Sequence, residues 1–180
     1  MQIEKYGIVL ERLTERDIEM VRTWRNSGDI AQFMVYRDHI DPEMQQRWFA
    51  SRDPERDYHF IVHYNGQACG LADVKAIDWD AKSFVAGLFL LQPYWDTDLG
   101  MRAAYAITDF AFFDLNLEVG FCQVLRSNPR ALRLNQSLGY RITAEGEESG
   151  VYQLRVEKKE YERVTERLRS YLARNTKQEI

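Results

Sequence analysis

A chain of 180 residues, 45% hydrophobic and 29% charged, is long enough to bury one sizeable core without disulfides or metal to staple it. Its 24 basic and 28 acidic residues leave a net charge of −4, which argues against sequence-blind binding to nucleic acid or anionic membranes. Nine Phe, ten Tyr and four Trp exclude a disordered chain, and no apolar run reaches the ~18 residues of a membrane span.

The expected elements alternate between strand and helix. Ile8–Leu13 reads as a first strand. Thr14 to Asp17 has the form of a capping box, opening a helix with Ile18, Val21 and Trp24 at helical spacing and Gly28 as its stop. Asp41-Pro42-Glu43 starts a second helix that carries Met44 and Trp48. Tyr58–Tyr64 alternates like a strand. Asn65-Gly66 supplies a type I′ turn, and a return strand runs from Gln67 to about Ile77, with Trp79-Asp80 marking the next turn. Phe84–Leu91 is nearly all apolar, as in a strand covered on both faces. Leu99–Leu115 is helical, Val119–Leu125 a strand, and Pro129–Leu138 a short helix closed by Gly139. Strands near 140–144 and 151–156 follow, and an amphipathic helix covers about 157–174. The order β-α-α-β-β-β-α-β-α-β-β-α implies one α/β (α+β) domain over 1–180, a mixed central sheet with helices on both faces.

Cys69 and Cys122 make no disulfide framework, and no Cys/His cluster implies a metal, so none is expected. Met1–Lys5 lacks the apolar core of a secretory signal, and a cytoplasmic protein is expected.

Three segments carry chemistry. The run Ser127 to Tyr140, with Asn128, Ala131, Leu134 and Gly139-Tyr140, follows a strand and opens a short helix. Pro93, Trp95, Gly100 and Ala103 mark a loop leading into a helix. Trp24-Arg25-Asn26, then Ile30, Met34 and Trp48-Phe49, cluster aromatics with one cation and one amide. Each also has a plain structural meaning: a glycine-capped helix, an ordinary helix start, and core aromatics.

Together these segments resemble the GNAT superfamily of acyl-CoA N-acyltransferases over roughly residues 8–156. The loop resembles the branch acetylating ribosomal-protein termini, and the W-R-N opening resembles amino-sugar N-acetyltransferases, including those of the pseudaminic-acid pathway. The resemblance implies a GNAT fold with a splayed strand. It also implies transfer of an acetyl or related acyl group from acetyl-CoA, as co-substrate, to a primary amine by direct attack in a ternary complex. The cofactor side would then involve Phe89, Leu90, Leu91, Leu99, Gly100, Met101, Arg102, Asn128, Arg130, Ala131 and Asn135. Trp24, Arg25, Asn26, Met34 and Trp48 would wall the acceptor, a small-molecule amine such as an amino sugar or nucleotide-linked amino sugar.

The chain departs from the family pattern in places. Asp96 and Asp98 stand where the loop pattern has glycines. They either repel a pyrophosphate, with Arg102 as partial offset, or start the helix as N-caps. Asn135 takes the usual Tyr position. It cannot act as an acid, though it can hydrogen-bond a sulfur. The Glu often found early in the splayed strand is replaced by Ser83–Ala86. Base candidates are then Asp73, pointing either into the cleft or to solvent, and the histidines. Of these, His59 and His63 read as strand surface and His39 as loop. Cys122 reads as a buried structural cysteine. The basic last helix reads either as a solvated face with i,i+4 pairs or, through its Tyr/Leu stripe, as the face of a homodimer. Two rivals stay open: a fold-retaining binding module without catalysis, and a protein N-terminal acetyltransferase with an open groove.

Overall fold

The computed structural model describes residues 1–146 and 150–175. Eight strands form one sheet in the order β1-β2-β3-β4-β5-β6-β8-β7. They are β1 Gln2–Lys5, β2 Ile8–Arg12, β3 Tyr58–Tyr64, β4 Gln67–Asp78, β5 Ser83–Leu90, β6 Val119–Leu125, β7 Arg141–Gly146 and β8 Val151–Glu157. Every neighbouring pair is antiparallel except β5 and β6, which run parallel.

Helices lie on both faces. α1 (Ile18–Asn26), the short α2 (Gly28–Ala31) and α3 (Pro42–Ser51) precede β3; α4 (Leu99–Asp109), α5 (Pro129–Ser137) and α6 (Lys158–Asn175) follow β5. On one face, Val21 of α1 packs with Leu13, Ile61 and Leu71, and Trp24 and Trp48 join them. On the other, α4 and α6 bury Ala103, Ala106, Ile107, Tyr161 and Leu172 against Leu10, Phe60, Val62, Val74 and Leu154. α5 lays Ala131, Leu132 and Leu134 on that larger core. Among the described residues no helix is long and apolar enough to cross a membrane.

Several expectations need correction. β1 is an additional strand. It joins β2 through Tyr6 and Gly7, both at positive φ (56° and 74°), a hairpin turn whose first residue is not the usual Asn or Asp. Gly28 does not stop α1: the helix ends at Asn26, Ser27 is extended, and Gly28 begins α2. The expected helix through Leu115 divides into α4 and a π-helical turn, Phe110–Asp114, which turns Phe110, Ala111 and Phe112 into the core. β5 is not covered on both faces along its length. Most of its residues are half-exposed because it parts from β6.

Candidate active site

β5 and β6 pair only from Ser83–Val85 to Val119–Phe121, and then diverge. The half of β5 beyond Val85 therefore has no strand on that edge. Leu91 N donates to Cys69 O (2.9 Å) and so faces β4. Successive residues of a strand point their backbone groups to opposite edges, so Phe89 also faces β4, while Leu88 and Leu90 face the opening. Of the expected trio Phe89, Leu90 and Leu91, only Leu90 presents its backbone to the cleft. Its carbonyl accepts from Trp95 Nε1 at 2.7 Å.

The start of α4 lies beside this edge, with Leu99 buried and Gly100 and Met101 half-buried. A Cβ built on Gly100 would meet nothing closer than Leu90 Cδ1 at 3.8 Å, so packing alone does not require glycine there. Both loop carboxylates are paired. Asp98 Oδ2 lies 2.8 Å from Arg102 Nε, and Asp96 Oδ1 lies 3.1 Å from Arg130 Nη2 of α5. Asp98 occupies the N-cap position without a side-chain bond to the helix amides; its carboxylate holds Arg102 instead. Arg130 also rests over the Trp95 ring, 5.5 Å from its centroid, so the loop and α5 are clasped together.

Asn128 caps α5, its Oδ1 accepting from Ala131 N at 3.0 Å. Asn135 donates to Ala131 O (2.9 Å) and accepts from the Cys122 thiol (3.4 Å). Burial pushes that thiol up to about 12, so it stays protonated at neutral pH, as expected of a structural cysteine.

On the other face of the sheet, Trp24 packs edge-to-face on Phe89 and Trp48 on His59. Met34 is half-buried in the loop after α2. Asn26 is tied to the chain's own backbone. Its amide donates to Ile40 O (2.8 Å) and accepts from Ile40 N (2.9 Å), pinning that loop to α1. Phe33 reaches from the same loop to Trp95, ring centroids 5.7 Å apart.

Asp73 and His59 meet beneath these aromatics. Asp73 is 7% exposed and points inward, and His59, at 4%, is not strand surface. His59 Nδ1 lies 3.8 Å from Asp73 Oδ2, and Lys75 Nζ lies 2.9 Å from Asp73 Oδ1. Burial lowers the His59 pKa to about 4, against the pull of Asp73, so the ring is neutral at pH 7. Burial likewise lowers the Arg25 pKa, and Asp73 opposes that shift. Two buried polar atoms here, Arg25 Nε and His59 Nδ1, make no hydrogen bond among the described residues, and Asp73 Oδ1 has the Lys75 ammonium beside it. Buried polar groups are nearly always satisfied, so such a cluster marks a place built to receive something.

A splayed parallel pair, a helix N-terminus beside the free strand edge and a capped Asn-led helix now stand together. The sequence profile of the acetyltransferase (GNAT) domain matches residues 8–141. The chain belongs to the GNAT family of acetyltransferases. It is 29% identical over 132 residues to the acetyltransferase PseH of Campylobacter jejuni, covering 72% of this chain and 80% of that one. It is also 22% identical over 151 residues to the uncharacterized protein MJ1062 of Methanocaldococcus jannaschii. That match covers 81% of this chain but only 30% of the longer relative. Its fold is shared with spermidine N-acetyltransferase from Vibrio cholerae, solved with CoA and spermine. There the TM-score is 0.78 at 15% identity, covering 86% of this chain and 98% of that one.

Sequence reasoning considered His59 but put it on the surface, and it missed Gly87. Gly87 lies opposite Asp73 in the β4–β5 ladder, where a Cβ would stand 2.6 and 2.7 Å from the two Asp73 oxygens.

Proposed function

We propose that the protein transfers an acetyl or related acyl group from acyl-CoA to the primary amine of an amino sugar or nucleotide-linked amino sugar. The observation that carries this reading is the meeting of two half-sites at β5. The free edge at Leu88 and Leu90 lies on one side. The aromatic wall of Trp24, Trp48 and Phe89, with half-buried Arg25, lies on the other. Flat aromatic walls with a few polar groups suit a sugar ring, and Arg25 suits its hydroxyls or an attached phosphate. Arg25 and Lys75 around Asp73 disfavour a polycationic acceptor.

The residues present fit an acyl-CoA. Asp96 and Asp98, bare repellers on paper, each have a cation beside them, Arg130 and Arg102, which eases the repulsion of a pyrophosphate. Acetyl-CoA, when bound, supplies the thioester. Leu88 and Leu90 offer backbone donors to the carbonyl oxygen that gains charge as the amine attacks. Leu99–Met101 at the start of α4 offer amides to the pyrophosphate, and Arg130 a cation to the phosphates. Asn128 acts by holding the start of α5 beside the cleft. Asn26 acts on the acceptor side through the loop it pins.

Calorimetric titration with acetyl-CoA and with CoA tests the cofactor half. A panel of UDP-glucosamine, glucosamine, spermidine and an alanine-terminated peptide tests the acceptor half. Micromolar-range binding with turnover of the sugar amines is expected. No CoA binding at millimolar ligand would return the fold to a binding module, and preference for the peptide or for spermidine would replace the acceptor.

A further inference from the structure

The stretch in which the family resemblance expects a carboxylate, Ser83–Ala86, has none. The structure places a carboxylate on that part of the sheet by another route. Asp73 belongs to β4, but its side chain lies over β5 in the volume that a side chain at residue 87 would fill. Any Cβ on Gly87 would stand within 2.9 Å of three Asp73 atoms. Asp73 and Phe89 lie on the same face of the sheet, because Gly87 is opposite Asp73 and Phe89 is two residues further on. The Asp73 carboxylate thus lies under the aromatic wall, beside the strand whose amides at Leu88 and Leu90 face the cleft.

We propose that Asp73, given room by Gly87 and faced by His59, takes the proton from the acceptor's ammonium; this rests on the acetyl-transfer reading above. The groups facing it are His59 from β3, Lys75 from its own strand and Arg25 from α1, with Arg52 and Asp57 acting on His59 from behind. Because His59 is neutral, it does not compete with the incoming ammonium for the carboxylate charge. It is a positioning residue, one wall of the slot that holds Asp73. In the step itself one ammonium proton passes to Asp73, and the freed nitrogen lone pair forms the bond to the thioester carbon. The carbon–sulfur bond breaks with its electron pair on sulfur. The second nitrogen proton goes to that sulfur, and Asp73 then releases its proton to water.

The test uses the full chain, acetyl-CoA, and whichever amine of the panel the wild type turns over fastest. Asp73→Asn should lower kcat by ~100-fold or more, within the usual range for losing a general base. Its CoA dissociation constant by calorimetry should stay within about twofold of wild type, since Asp73 lies outside the cofactor cleft. Raising the pH, which supplies free amine, should recover part of the loss. The carboxylate can also be moved across: Asp73→Gly combined with Gly87→Asp places it in the same volume from the opposite strand. This variant should exceed Asp73→Gly alone by ~10-fold or more. Wild-type kcat in Asp73→Asn overturns the proposal. So does a parallel loss of CoA affinity and turnover with an unchanged pH profile, which marks a structural role. If the swapped variant fails to fold, the pH profile of Asp73→Asn still decides. A wild type that binds CoA but turns over none of the four amines defeats the acceptor reading, and the base assignment falls with it.

Discussion

Asp109 of α4 and Asp73 of β4 are both almost sealed from water, at 0% and 7% exposure, yet their surroundings differ in kind. Asp109 accepts from the hydroxyls of Tyr6 and Tyr161, and Lys5 and Arg169 each lie 2.8 Å away. Two hydroxyls and two cations surround it, and the assembly ties the first hairpin, α4 and α6 together. Asp73 has one ion-pair partner, Lys75, a neutral histidine at 3.8 Å and no hydrogen bond among the described residues. A buried charge with its full set of partners organises the fold. One left partly unmet keeps its capacity for a ligand.

The contrast is sharpest under identical substitutions. Asp109→Asn should lose about 3–5 kcal/mol of stability in urea unfolding, because Lys5 and Arg169 are left facing a neutral group. Asp73→Asn should lose about 1 kcal/mol or less, in keeping with its few directed contacts. Equal losses would erase the distinction between the two sites.

His59 gives the next effect. Its folded pKa, about 4, lies below the ordinary histidine value of 6.5, so between those limits the unfolded chain binds more protons. Stability is therefore intact above pH 6.5 and falls as pH drops toward 4, by on the order of 3 kcal/mol from this group. His59→Gln should flatten that part of the pH–stability curve. An unchanged slope would mean that His59 is not the group responsible.

Two smaller effects separate fold from cofactor. Gly100→Ala should raise stability by up to about 1 kcal/mol, since the site has room and alanine favours helix. It should also weaken CoA binding, if the phosphates approach that backbone closely. Tighter or equal binding would place them elsewhere. Asp96→Asn, at an exposed pair, should change stability by no more than about 0.5 kcal/mol.

Much of this architecture was legible in the chain. Asn65-Gly66 takes the expected turn, with φ of 49° and 75°, and β3 and β6 follow the local pattern. What escaped depends on register. The turn pairs Tyr64 with Gln67, and regular pairing from there would set His59 opposite Ala72. A bulge near Val62 shifts the ladder by one, so that His59 faces Asp73. His59 lies on the face that Trp48 covers, and the extra residue in β4 sets Asp73 rather than Ala72 beside it, which an alternating strand read alone does not show. The last helix divides its apolar stripe between two faces. Tyr161 and Leu172 are buried in the molecule's own core, leaving Val164 and Tyr171 outward.

The partners of Asp109 come from residues 5, 6, 161 and 169, nearly the whole span of the described chain. Such contacts form only after long loops have closed, so this network belongs to the late stages of folding. During synthesis α4 is made well before Tyr161 and Arg169, and until they arrive Asp109 has only the first hairpin to meet it. A chain cut before residue 161 would leave the buried Asp109 with Lys5 and Tyr6 alone, without the Tyr161 hydroxyl and the Arg169 cation. The last helix thus acts as the closing element of the whole domain.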